Sequence, residues 1–297
     1  GQQVQKSGVT LTVSPRIVRG SVDRRGAWLQ SRRMSAPVAA FFDLDKTIIA
    51  TSSAFAFGKE FFNSGLITRQ EAVDLYLSKA SYMWVGQSSE KMDTTRDSLA
   101  QMVAGWPVDE VQRITTETMH TVVTPAIYAE ARELIAHHQA AGHDVIIISA
   151  SAAILVEPIA RELGVDTVVA TELEIADGKL TGTITRYLKG DAKAQAVEQF
   201  AADNGYNLGA SYAYSDSATD IPMLKLVGNP IAVNPDRALR KHAVHHGWEI
   251  LTFKNPEPLI QLPNAREVGI GASVVAGATL IALAGVLVAR AHRRRSA

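Results

Sequence analysis

The chain has no cysteine at all. Disulfides, thiolate zinc sites and cysteine nucleophiles are therefore excluded. It also has no surplus of either charge: Lys+Arg 30 balance Asp+Glu 30, so no global field draws it to nucleic acid. Residues 1–33 lack a sustained apolar period and an apolar h-region, which argues against a secretory signal. They carry Lys6, Arg16, Arg19, Arg24, Arg25, Arg32 and Arg33 against Asp23, and read as a disordered basic arm suited to anionic lipid headgroups. Aromatics are sparse at 6%, and many of them (Phe55, Phe57, Phe61, Phe62, Tyr76, Tyr82, Trp84, Trp106) crowd one stretch as core or pocket lining.

What is present is globular for most of its length. The 297 residues suffice for one large domain or two small ones, with 46% hydrophobic and 20% charged residues. Residues 268–289 are the exception: they hold no charge, and twenty-two residues at ~1.5 Å each span roughly 33 Å, the thickness of a bilayer core. Arg290, Arg293, Arg294 and Arg295 follow directly. The segment reads as a single-pass C-terminal membrane helix followed by a basic tail, residues 290–297. Ala278 and Ala282 are four apart, a spacing that lets two such helices pack and leaves room for a homodimer. The trailing arginines favour a cytoplasmic C-terminus. The lack of an export signal favours a cytoplasmic catalytic domain, and the second argument is given more weight.

Between the ends, residues 38–43 read as a buried strand and residues 52–123 as helices. An αβ alternation begins after Pro125. Ile127, Ala131, Leu134, Ile135 and His138 share a helix face, residues 145–148 form a β-branched run ending at Ser149, and residues 165–170 form a third strand. Asp177-Gly178 marks a hairpin turn, a helix starts near Asp191, and strands at 212–214 and 231–233 follow. This alternation predicts an α/β fold, a parallel sheet with helices on both faces. Ligands of such sheets bind beyond the carboxyl ends of the strands, where Asp43, Ser149 and Asp216 fall.

The chemistry gathers at those ends. Asp43 and Asp45 leave an apolar strand two residues apart, and carboxylates are seldom buried without a partner. One carboxylate can attack phosphorus, and a second can protonate the leaving oxygen and then activate water. Asp216 and Asp220, four apart, are candidate ligands of a hard cation such as Mg²⁺. Ser149 can donate to a phosphoryl oxygen, and Lys193 supplies a fixed positive charge. Taken singly each has a plainer reading, as a solvated strand end, a cap or a surface lysine. The order and placement of the set make it more than that.

Those residues resemble the motifs of the haloacid dehalogenase superfamily, in its subfamily IB, phosphoserine-phosphatase-like branch. Asp43-Leu44-Asp45-Lys46-Thr47 matches its first motif, Ser149 its second, Lys193 its third, and Asp216 with Asp220 its fourth. The resemblance covers about residues 38–253. It implies Asp43 as nucleophile, Asp45 as acid/base, Thr47 fixing the phosphate-binding loop, and phosphate contacts from Ser149 and Lys193. Mg²⁺ would be held by Asp43, Asp216 and the main-chain carbonyl of Asp45, with Asp220 close by. It also implies a Rossmann-like core at 37–51 and 124–262 and a helical cap at 52–123, with the basic arm spanning 1–36.

The sequence departs from that branch at three places. Ser52 stands where the phosphoserine enzymes carry a Glu that reads the substrate amine. Ser149-Ala150-Ser151 replaces Ser-Gly-Gly, and Ser215-Asp216-Ser217 replaces Gly-Asp-Gly. Ser52 and Arg96 are the candidate substrate-selecting residues of the cap. The expected function is hydrolysis of a small phosphomonoester such as phosphoserine. Two alternatives stand beside it: a lipid-linked or glycerol-type phosphate as substrate, and a catalytically inactive, membrane-anchored binding module. A cation pump is disfavoured, because Ile48-Ile49 follow Asp45-Lys46-Thr47 and one apolar span is present. His242, His245 and His246 read as exposed helix residues rather than a zinc site.

Overall fold

A computed structural model describes residues 36–69 and 100–256 of the chain. The apolar run 268–289, basic-arm residues 1–35, Arg96 and cap residues 70–99 lie outside the described residues. Among the described residues no helix is long and apolar enough to cross a membrane.

A seven-stranded sheet organises these residues, in the order β4-β3-β2-β1-β5-β6-β7. The strands are β1 (Ala39–Phe42), β2 (Asp144–Ala152), β3 (Thr167–Ala176), β4 (Lys179–Arg186), β5 (Tyr212–Ser215), β6 (Asn229–Val233) and β7 (Glu249–Leu251). All neighbours pair in parallel except β3 with β4. The central β1 is apolar throughout because both of its faces are covered, and all its residues are buried. On one face Phe41 joins Ile146, Ile148 and Ala213 in a core completed by three helices. These are α5 (Asp191–Asn204), α6 (Ile221–Leu224) and α7 (Arg237–His246). On the other face Phe42 stacks on Tyr214, ring centroids 4.2 Å apart. There α3 (Ala129–Ala140) buries Ala131, Ile135 and His138. Each fully buried Phe or Ile contributes about 1.5–3 kcal/mol.

The inserted block starts with α1 (Ser53–Asn63) and ends with α2 (Val108–Thr118), a π-turn at Met119–Val123 and a short 3₁₀ turn. After β2 comes α4 (Ala153–Glu162). The expected third strand and the first arm of the hairpin prove to be one element. β3 is buried at Ala170 and Thr171, where it pairs with β2, and exposed by Ile175, where it continues into the hairpin. Sequence reading split it because the burial pattern changes midway. The turn is as predicted: Asp177 and Gly178 have φ of 49° and 72°, the left-handed pair that a tight hairpin needs. The outer strand β4 is clasped by the inserted block. The Leu180 N–H donates to the Trp106 carbonyl, Gly105 to Leu180, and Val108 to Gly178. The short edge strand β7 was not foreseen.

His138 is the buried titratable group of the back face. Its ring lies 2.7 Å from the Tyr214 hydroxyl and 2.8 Å from His143 Nδ1. Burial, then the nearby His143 and His137, push its pKa from 6.5 down to about 4. Between those values the unfolded chain binds a proton that the fold rejects, so stability falls as pH drops through that window. The stability advantage of the wild type over His138→Gln is expected to shrink by about 2 kcal/mol from about pH 7 to about pH 4. Urea melts across that range measure it, and a constant gap would refute the assignment.

Candidate active site

Three adjacent parallel strands, β2, β1 and β5, end side by side, about 4.8 Å from one to the next. That spacing gathers Ser149, Asp43 and the Ser215-Asp216 step within reach of one small ligand. The Asp43 N–H donates to the Tyr214 carbonyl at 2.9 Å, locking the end of β1 to β5. Beyond it the chain turns sharply. Lys46 adopts φ 63°, a left-handed conformation that a lysine takes only when its surroundings impose it. The N–H groups of Thr47, Ile48 and Ile49 all converge on the Leu44 carbonyl. Leu44, Ile48 and Ile49 are fully buried and anchor this loop.

Lys193 joins the set from the first turn of α5. Its side chain is buried, with Nζ 2.6 Å from Asp43 Oδ1 and 2.7 Å from Asp220 Oδ2. Burial works against its charge, but Asp220 and Asp43 more than offset that and hold the ammonium well above its ordinary pKa. Burial pushes Asp43 up to about 7 against the pull of Lys193, with Asp220 and Asp216 adding repulsion. Asp216 is pushed up to about 6, chiefly by burial, with Lys46 opposing and Asp220 reinforcing. Thr47 Oγ1 donates to Asp43 Oδ2 at 3.3 Å, so Thr47 steadies the Asp43 carboxyl.

Asp45 leaves β1 two residues after Asp43 but makes separate contacts. Its Oδ1 accepts from the Ser53 N–H at 2.8 Å, and its Oδ2 from the Ser151 hydroxyl at 2.7 Å. Burial raises its pKa, and the Ser151 and Ser53 hydrogen bonds resist. The fully buried Ser53 hydroxyl has no partner of good geometry, though it lies close enough to favour the charged form of Asp45. Ser149 is buried and accepts from the Ser151 N–H at 3.1 Å.

Asp43 and Asp216 directly follow β1 and β5, Lys193 lies in the first turn of α5 and Asp220 just before α6, as expected; Thr47 lies in the turn after β1, and Ser149, expected at a strand end, lies within β2, which continues to Ala152. The role of Asp220 is more specific than expected. Its Oδ2 accepts from both Lys193 and Ser215, so it holds Lys193 in place. Ser52 is the N-cap of α1, accepting from the Phe55 N–H at 3.2 Å; its oxygen serves the helix. Two structural residues went unread. Ser151 entered the sequence argument only as a departure from glycine. Asp236 caps α7 through the Leu239 N–H and also accepts from the Ala218 N–H at 2.9 Å. Its own N–H donates to the Asp216 carbonyl, bracing the fourth-motif loop. An N-cap after Pro235 is legible in sequence, but its bond to Ala218 depends on the fold. His242 and His246 stack on α7, ring centroids 3.9 Å apart, with His246 exposed and His242 partly buried; no cluster of three or more potential metal ligands occurs among the described residues.

The site nevertheless has the character of a hard-cation site. Asp43, Asp216 and Asp220 crowd one another, and Lys193 is the cation bonded between two of them. That excess of buried negative charge, offered by oxygen atoms, fits Mg²⁺.

The haloacid dehalogenase-like hydrolase family pattern matches residues 40–225. A probable phosphatase of Mycobacterium tuberculosis is 46% identical over 256 residues, covering 84% of this chain and 89% of that protein. A phosphoserine phosphatase of the same species is 34% identical over 260 residues, covering 87% of this chain and 81% of the other. Among solved structures, a Bordetella pertussis protein of unknown function superimposes with a TM-score of 0.66 at 28% identity, covering 76% of this chain and 100% of its own. With its four motifs gathered at three neighbouring strand ends, the chain belongs to the haloacid dehalogenase-like hydrolase family, among its phosphoserine-phosphatase-like members.

Proposed function

We propose that the chain hydrolyses a small phosphomonoester through an aspartyl-phosphate. The observation that carries this is the buried Asp43, bonded to Lys193 and Thr47, beside a separately held second carboxylate, Asp45. An Asp43 oxygen attacks phosphorus, and the bond to the alcohol oxygen breaks. Asp45 gives that oxygen its proton, then takes one from the water that attacks the aspartyl-phosphate, releasing phosphate and restoring Asp43. Lys193 and the Ser149 hydroxyl stabilise charge on the phosphoryl oxygens. Asp43, Asp216 and the Asp45 carbonyl would hold Mg²⁺, which when bound offsets the repulsion between anionic nucleophile and anionic substrate.

Phosphoserine is the leading substrate, supported by the relative named for it. A lipid-linked or glycerol-type phosphate is the second reading, favoured by the apolar run 268–289 and by Ser52 at the position that would read an amine. The same run supports a C-terminal anchor. An inert binding module is disfavoured by the assembled carboxylates. Full-length protein in detergent should hydrolyse members of a panel of phosphoserine, glycerol 3-phosphate and phosphatidate, with activity lost to EDTA and restored by Mg²⁺. Phosphoserine turnover well above the rest would eliminate the lipid reading, and no turnover of any ester would remove the phosphatase assignment.

A further inference from the structure

The acid/base carboxylate is gripped at both oxygens, and one of the two grips is a side chain. Ser151 can reach Asp45 because β2 bulges at its end. The β2–β3 register passes from Ser149↔Ala170 directly to Ala152↔Thr171, so Ala150 and Ser151 have no counterparts across the ladder. Bulges of this kind re-aim a side chain. Thr171, buried, pins the bulge: its hydroxyl donates to the Ala150 carbonyl at 2.7 Å and accepts from the Leu188 N–H at 3.2 Å. The lifted Ser151 then makes two contacts. Its hydroxyl donates to Asp45 Oδ2, and its N–H donates to Ser149 Oγ. A serine hydroxyl that accepts one hydrogen bond still has its own proton to give, so Ser149 remains a donor for an anion.

We propose that Ser151 is a positioning residue that fixes Asp45 for proton transfer to the leaving alcohol while orienting Ser149; the role rests on the phosphatase reading above. A hydroxyl both donates and accepts, so it stays bonded to Asp45 before and after the proton leaves. Glycine at this position has no side chain to do this, so the serine adds a grip on Asp45 that the glycine form of the motif lacks.

The test compares Ser151→Ala and Ser151→Thr with wild type on two leaving groups. One substrate is an alkyl ester, the faster of phosphoserine and glycerol 3-phosphate. The other is p-nitrophenyl phosphate, whose nitrophenolate departs without a proton. Because kcat/KM reports the steps up to loss of the alcohol, only the alkyl ester depends on a well-placed acid. Ser151→Ala is expected to lower kcat/KM about tenfold or more on the alkyl ester and less than about threefold on the aryl ester, with Ser151→Thr restoring most of the loss. Equal losses on both substrates, or none on the alkyl ester, would overturn the proposal. If Ser151→Ala does not fold, Ser151→Cys, a near-isosteric weaker donor, must show the same ordering. If phosphatidate is the ester turned over, it serves as the alkyl substrate; a wild type inactive on every ester of the panel, or an Asp43→Asn variant of undiminished activity, would overturn the proposed function instead. A flat Ser151→Ala result beside an active wild type and an inactive Asp43→Asn would overturn the Ser151 role alone.

Discussion

Asp43→Asn is expected to lower kcat on any phosphomonoester substrate by about 10³-fold or more, because the amide cannot form the acyl-phosphate bond. The loss should not come from unfolding. An amide oxygen can still accept from Lys193, which remains paired with Asp220. The substitution also removes one member of a crowd of buried carboxylates, whose mutual repulsion helps push Asp43 up to about 7. Thermal stability should therefore be unchanged or slightly raised. Single-turnover kinetics with a melt on the same sample measures both. Retention of more than about a tenth of wild-type kcat would remove Asp43 as nucleophile.

Lys193→Met should behave differently, losing both activity and stability. Its ammonium is the shared partner of Asp43 and Asp220, and Met fills the volume without replacing the charge. Two buried carboxylates would lose their partner, at a cost of about 3–5 kcal/mol near neutral pH in metal-free buffer. The sign of the pH dependence follows from linkage. Asp43 already binds its proton more tightly folded than unfolded, and removing Lys193 strengthens that preference. Stability gained by protonation therefore returns as pH falls through the folded pKa, so the deficit should be largest near about pH 8 and smaller near about pH 5. Activity should fall at least about 100-fold, since the phosphoryl oxygens lose a fixed charge. A deficit independent of pH would show that Lys193 acts by packing alone.

Much of this is legible in the sequence. The parallel sheet followed from the alternation of β-branched runs with helical periods, and the left-handed turn at Asp177-Gly178 from its residue types alone. Asp43, Asp216 and Lys193 fall at element ends that periodicity marks. What could not be read depends on contacts between distant segments. The Ser151 hydroxyl meets Asp45 only because a bulge, pinned by Thr171, lifts it. Asp236 supports the Asp216 loop across a fold that brings two turns together. Periodicity also misjudged β3, whose inner half is enclosed and whose outer half is open. Ser52, a candidate substrate-selecting residue by its position after Asp43, also starts a helix, a use that its place before an apolar helical run makes legible.

The clasp over β4 has a consequence unrelated to catalysis. An uncovered outer strand offers a row of free amides and carbonyls to any other strand, which is a route to self-association. Trp106, Gly105 and Val108 occupy part of that row in β4 and its turn. The block inserted between the first two motifs is therefore also a guard against aggregation. Trimming it away to obtain a minimal catalytic core would uncover a sticky edge, and solubility would suffer along with the Ser53 grip on Asp45.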